Sequence, residues 1–268
     1  MADDLQSGYM GLLTKPSKVR CTSFSVNNSQ DILFYNPVYG IDRGSAAGNK
    51  IRRLFRPSVG AITGSFSFPA TESAATEYLN YAQSGGFIDE IGFQYFCTGN
   101  NFTSFKHCRV NGFEVNAQAG EVVNITVDIG AKDLEFKDST ETYINSQKLI
   151  TWDKVTVTSP YDPIRAVTLK INNNLAPVYT AGDPGGSCNL LPNDLRLGIQ
   201  ELSGSISVYL RKGQAFIPTT QPQADSLGIS FPGFDITAKV FYRTTQSEGM
   251  IGPAVCEIPF TGVDSLYS

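Results

Sequence analysis

The 268-residue sequence predicts a mainly β protein: two tandem antiparallel β-sandwich or split-barrel modules, the first carrying a flanking helix. Three observations lead there. Residues 37–68 and 177–208 share one plan at a constant offset of 140. Pro37-Val38-Tyr39 returns as Pro177-Val178-Tyr179, Arg56 as Arg196, and Thr63-Gly64-Ser65-Phe66-Ser67-Phe68 as Ser203-Gly204-Ser205-Ile206-Ser207-Val208. Upstream, Val26-Asn27-Asn28 returns as Ile171-Asn172-Asn173 at an offset of 145. Finally, charged residues make up only 17% while Gly, Pro, Asn, Ser and Thr are plentiful, the composition of short strands joined by turns. The expected boundaries are 1–133 for the first module, 134–148 for a linker and 149–268 for the second.

In chain order, residues 19–26 alternate apolar and polar with the period of two that marks a half-buried strand. Residues 33–39 read as a second strand. The glycine-rich stretch 40–50, continued through 57, is a connection longer than a hairpin needs, and long loops of that kind usually carry function. Residues 61–68 form the next strand, with Ile62, Phe66 and Phe68 spaced for burial. Residues 71–83 suit a helix that Ser84-Gly85-Gly86 ends. Strands are expected over 87–96, 108–116 and 122–129, and the period-free, polar stretch 133–147 is the linker. The second module opens with a strand over 149–157, carries its long loop at 181–194, and has a Pro- and Gln-rich stretch, 212–226, where the first has its helix. Gly233-Phe234-Asp235-Ile236 reads as the return of Gly112-Phe113-Glu114-Val115, at an offset of 121.

The formal net charge is -4, and each half of the chain, divided after Asn145, is mildly acidic, with 12 basic against 15 acidic residues and then 9 against 10. A duplex-binding surface needs a basic excess to neutralise phosphates, and neither half has one. The one basic run, Arg52-Arg53-Leu54-Phe55-Arg56, reads as a solvated or subunit-facing loop. No apolar run approaches membrane-spanning length, and the acidic start Met1-Ala2-Asp3-Asp4 lacks the basic region of a signal peptide, so a soluble, non-exported chain is expected. Cys21, Cys97, Cys108, Cys188 and Cys256 are scattered, without a C-x-x-C pair, and read as reduced thiols of a cytoplasmic protein.

Catalytic patterns are weak. The single histidine, His107, adjoins Cys108, and adjacent strand residues point to opposite faces. No G-x-S-x-G elbow, zinc spacing or calcium loop accompanies it. The segment 44–50 lacks the phosphate-loop spacing. Asp89-Glu90, or Glu114 with Asp235, could serve glycoside hydrolysis. Equivalent acids in two modules, however, more naturally make equivalent contacts than divide two catalytic roles. No enzymatic activity, cofactor or metal is expected.

One resemblance gives the repeat a meaning. Trp152-Asp153, then Val167-Thr168-Leu169-Lys170-Ile171-Asn172-Asn173-Asn174-Leu175, Tyr179, a Gly/Pro-rich loop and Leu202-Ser203-Gly204-Ser205-Ile206-Ser207 resembles the major tail tube proteins of long-tailed bacteriophages. The first module repeats it in Phe24-Ser25-Val26-Asn27-Asn28, Tyr39 and Ile62-Thr63-Gly64-Ser65-Phe66. The resemblance implies packed antiparallel sheets assembled into six-module rings with a continuous inner barrel. A two-module chain would then form a ring as a homotrimer, stacked into a virion tail tube that conducts DNA at ejection and is assembled in the host cytoplasm. Implied partners are further copies of the chain, a tape measure protein, a tail terminator, baseplate or tail-tip proteins and, in a contractile tail, a sheath protein. Candidate inter-subunit and inter-ring contacts are Arg43, Lys50, Arg52, Arg53, Arg56, Asp183, Asp194 and Arg196, with Arg56 and Arg196 as ion-pair partners across subunits. Two other readings stand beside this one: a tube-initiating or tube-ending ring of a tail or related injection apparatus, and a carbohydrate-binding or hydrolysing β-sandwich.

Overall fold

In the computed structural model, residues 11–29, 32–35, 54–57, 61–95, 101–138, 148–179, 192–209, 224–242 and 255–262 are described. Strands β1 (Gly11–Lys15), β2 (Val19–Cys21) and β3 (Ser23–Ser29) come first, followed by β4 (Ile32–Tyr35) and β5 (Leu54–Pro57), which pair as a separate ribbon. Then come β6 (Ala61–Pro69), α1 (Glu72–Ser84), β7 (Ile88–Tyr95), β8 (Asn101–Gln118), β9 (Asn124–Ala131) and β10 (Asp133–Asp138). After a 3-10 turn (Trp152–Lys154), β11 (Thr156–Thr158) and β12 (Ile164–Asn172) lead to a second ribbon, β13 (Ala176–Val178) with β14 (Asp194–Arg196). Strands β15 (Glu201–Tyr209), β16 (Ala224–Phe231), β17 (Phe234–Tyr242) and β18 (Val255–Gly262) complete the described chain.

Every pairing among these strands is antiparallel, and apart from the two ribbons they form one 14-stranded sheet. Two paths through it have the same order: β3-β6-β9-β8-β7 in the first half and β12-β15-β18-β17-β16 in the second. They are joined edge to edge where β12 pairs with β8, from Ala166 opposite Gln118 to Asn172 opposite Gly112.

The sheet is not flat, and β8 is its corner. The first part of β8 pairs with β7 and β10, the second with β9 and β12. Between them His107 takes φ 49°, and the register with β9 slips between Val110 and Gly112. A bulge bends a strand and lets it leave one layer for another. The layers then face each other: Phe24 of β3 stacks on Phe93 of β7 at 3.8 Å and meets Phe105 of β8 edge-on at 5.9 Å. Gly64 makes this approach possible, since a Cβ there would lie 2.8 Å from Phe105 Cζ.

Helix α1 closes the first half. Ala74, Ala75, Tyr78, Leu79 and Ala82 are buried at helical spacing, and the Tyr78 ring lies 5.3 Å from Phe66 and 5.7 Å from Phe68. Gly85 ends the helix in the left-handed region, φ 62°, donating its N–H to the Tyr81 carbonyl at 2.9 Å.

Several sequence-based expectations need correction. The strand expected over 19–26 is broken at Thr22, because β2 pairs with β1 in one layer and β3 with β6 in the other. The expected linker begins with β10, bonded to β8 throughout, and its pattern is uninformative because Glu135 and Phe136 are both exposed on this outer strand. The strand expected over 149–157 is interrupted by a 3-10 turn, Trp152–Lys154, closed by the Lys154 and Val155 N–H groups; Leu149 and Thr151 make isolated bridges before it, and β11 begins only at Thr156. Gly233-Phe234 starts β17 after a tight turn, whereas Gly112-Phe113 lies in the middle of β8, so the two runs do not correspond. Val26 stands opposite Gly64 as Leu169 stands opposite Gly204, a spacing of 143 rather than the 145 read from the asparagines. The expected substitute for a second helix, 212–226, lies outside the described residues until β16 begins.

Candidate functional site: a polar sheet face and its edges

Cross-strand pairing brings residues from across the chain onto one face, because directly opposed residues share a side of the sheet. One row runs Ser23, Ser67, Thr126, Glu114, Lys170, Ser203, Thr261 over β3, β6, β9, β8, β12, β15 and β18. Another runs Ser25, Ser65, Asp128, Gly112, Asn172, Glu201. Asn124, Asn116, Thr168, Ser205 and Pro259 follow, then Gln118, Ala166, Ser207 and Glu257. The opposite face of these seven strands carries the core, for instance Phe66, Val127, Phe113, Leu169, Ile206 and Ile258.

The polar face is tied together laterally. The Ser67 and Thr126 hydroxyls lie 2.8 Å apart, Thr168 donates to Asn116 Oδ1 at 2.7 Å, and Asn116 donates to Glu114 Oε1 at 2.9 Å. Glu114 Oε2 is 3.9 Å from Lys170 Nζ across the seam between the halves. Asp128 fits because Gly112 lies opposite; a Cβ there would be 2.7 Å from its Oδ2. The charges in these rows are Glu114, Asp128, Glu201 and Glu257 against Lys170 alone. Beyond them the second ribbon crosses the end of the face, with Leu175 and Leu195 against Gly130.

The seam has a buried polar lock at that end. Asn173, 3% exposed, donates to the Ala82 carbonyl at 2.8 Å and the Val110 carbonyl at 2.9 Å, and accepts from Gln200 Nε2 at 2.8 Å. Its backbone N–H reaches the Asn111 carbonyl at the β8 bulge, 2.7 Å. The helix end, the bulge and both strands β12 and β15 are thereby held in one frame. At the other end of the sheet, β3 pairs only with β6 among the described residues.

Of the candidate contact residues, Arg43, Lys50, Arg52, Arg53 and Asp183 lie outside the described residues. Arg56 lies in β5 opposite Leu33 and Arg196 in β14 opposite Ala176, matching places in the two ribbons. Arg196 is exposed. Asp194 Oδ1 is 3.7 Å from Lys132 Nζ within the chain. Lys132 and Arg109 both lie over the Phe87 ring, at 4.8 and 3.9 Å.

The structure does not assemble the weaker catalytic patterns. Glu114 and Asp235 lie on β8 and β17, which do not pair. Glu90 accepts from Ser104 at 2.6 Å and pairs with Lys106 at 2.7 Å, a structural arrangement. His107 is the exposed residue of the β8 bend. Cys21, Cys108 and Cys256 are buried, and burial pushes the Cys21 and Cys108 thiols up to about 12, which keeps those two neutral and unreactive. Among the described residues no cluster of three or more His, Cys, Asp or Glu side chains could hold a metal, and no helix is long and apolar enough to cross a membrane.

The face is thus broad and lined by hydroxyls and carboxylates, and it ends at β3, which pairs only with β6 among the described residues. The family model for phage tail tube protein matches residues 82–262, more than half of the chain, and the chain belongs to that family. It is therefore a structural component of a phage tail, of the kind that self-assembles into a tube. No curated protein gives a significant match to the chain.

Proposed function

We propose that the chain is a duplicated tube subunit, three copies of which close one pseudo-sixfold ring, and that the stacked rings conduct DNA along the polar sheet face. The observation that carries this reading is the seam. In the second half, the outer edge of β12 is covered by β8 over Ala166–Asn172. With Gly64 and Gly204 as the common frame, the corresponding stretch of the first half is the whole of β3, Ser23–Ser29, whose outer edge has no strand among the described residues. The next chain covers that edge as β8 covers β12, so that ring closure pairs the β3 edge of every chain.

Strand spacing supports three chains over six. The seven described strands of the face, at about 4.8 Å each, give three chains a backbone barrel of at least roughly 30–40 Å, depending on strand tilt. Lined with side chains, that admits a duplex of about 20 Å. Six chains would double the bore. The acidic bias of the face supports the conduit role, since a basic wall would hold the phosphates in place. The ribbons with Arg56 and Arg196, and the long connections they carry, are proposed to contact the next ring. Terminator, tape measure and tip proteins would meet the tube at its ends.

The test is direct. Electron microscopy of purified protein should show rings or tubes, and native mass spectrometry of the rings should give three chains each. Rings of six chains would overturn the duplication reading, and failure to form rings under any condition would overturn the assembly itself.

A further inference from the structure

The two halves of the sheet differ at one edge. β17 pairs with β16 from Phe234 to Phe241. With β18 it pairs only at Val240, Phe241 and Tyr242. Val240 and Phe241 have partners on both sides, so β16 and β18 lie along opposite edges, and on the β18 side residues 234–239 have no strand beside them among the described residues. The same place in the first half is filled. β9 stands opposite β8 at Val110 and Arg109, and β10 continues in that register from Asp133 opposite Lys106 to Asp138 opposite Asn101. Only Lys132 separates β9 from β10, and its N–H reaches the Lys106 carbonyl at 3.1 Å. We propose that residues 263–268, which follow β18 as β10 follows β9 and lie outside the described residues, dock as a strand on this edge of β17 in the same chain. The proposal goes beyond the tube reading and does not depend on it.

Register, length and patterning support this occupant. Gly64 stands opposite Ile129 and Gly204 opposite Phe260, which makes β18 the counterpart of β9. Continuing the β17–β18 register puts Val263 opposite Lys239, Ser265 opposite Thr237, Leu266 opposite Ile236 and Tyr267 opposite Asp235. An extended run of that length reaches about 20 Å, the span of the open edge itself. Phe234, Ile236 and Ala238 are buried on β17, while Asp235, Thr237 and Lys239 are exposed. Directly opposed residues share a face, so Leu266 joins the core side beside Ile236, and Ser265 and Tyr267 face outward. Leu134 has the corresponding place on β10, opposite Phe105 and packed against the core. The strand gives the outward N–H and C=O groups of β17 their partners. Because β18 delivers Val263 straight to this edge, the chain's own segment reaches it at a far higher effective concentration than a strand of another copy. A sealed β17 edge cannot compete with β3 for a neighbouring chain.

A disulfide reports the register. In the double variant Thr237→Cys, Ser265→Cys the two positions are directly opposed, about 4.5–5.5 Å apart between Cα atoms, a separation that a disulfide spans. Mild oxidation should link them within one chain, as mapped by mass spectrometry against the parent. The control pair Lys239→Cys, Ser265→Cys is displaced by two residues, about 7–8 Å, and should link at least tenfold less. Mixing isotope-labelled and unlabelled chains tells a link within one copy from a link between copies. In a second measurement, removing residues 263–268 should speed hydrogen exchange about tenfold or more at alternate amides of residues 234–239, those that face the open edge. Links between copies would assign the edge to a neighbouring chain and overturn the proposal. So would equal linking of both pairs, no link at Thr237→Cys, or unchanged exchange in the shortened chain.

Discussion

A buried amide has four hydrogen-bonding places to fill, and Asn173 fills three of them within the chain, with Ala82, Val110 and Gln200. Replacing it by Ala leaves the Val110 carbonyl without this donor in a dry site, so Asn173→Ala should cost about 1–3 kcal/mol, seen as a lowered unfolding midpoint. An unchanged midpoint would show that the seam holds without its lock. This role was illegible in the sequence, where the run Asn172-Asn173-Asn174 looks like a strand end. The partners of Asn173 are main-chain carbonyls and a glutamine that only tertiary folding delivers. Gly64 and Gly204 were legible because their requirement is local to the strand plan. A Cβ on Gly204 would sit 2.1 Å from the Thr168 carbonyl oxygen, so the neighbouring strand itself excludes a side chain. The polar face was half legible: alternation marks Glu114 and Glu257 as outward-facing, but their common row exists only once the registers of seven strands are known.

At the level of elements, β3 and β8 carry the argument. Successive N–H groups of a strand point to opposite edges, so prolines at Ser25 and Val26 remove different bonds. One of the two variants loses a bond to β6 and is destabilised; the other loses only an outward N–H and should fold. The folded variant should fail to close rings, as judged by sedimentation and microscopy, and normal rings would exclude β3 as the joining edge. Helix α1 could be placed from sequence to within one residue at each end, because its apolar spacing and its Gly85 stop are local signals. The full length of β8 and the existence of β10 could not. A corner strand buries different faces along its length, and His107 and Asn111 sit where the periodicity has to break.

For the whole molecule, the sign of the conduit wall becomes a testable property. Glu201 and Glu257 are exposed on the polar face, away from the core and from both edges of β3. Changing both to Lys should leave tube assembly intact while slowing DNA release from particles roughly tenfold at low salt, with recovery as salt rises. Release measured by a DNA-binding dye against time would decide it; unchanged release would mean that this face does not meet DNA. The repeated strand order also has a kinetic consequence. Of six seams in the proposed ring, three are the β8–β12 kind, already made when the chain folds and held at the effective concentration of a covalent link. Closing a ring is then a three-body problem rather than a six-body one. Its onset should follow a much lower power of protein concentration, letting tubes nucleate while the subunit is still scarce.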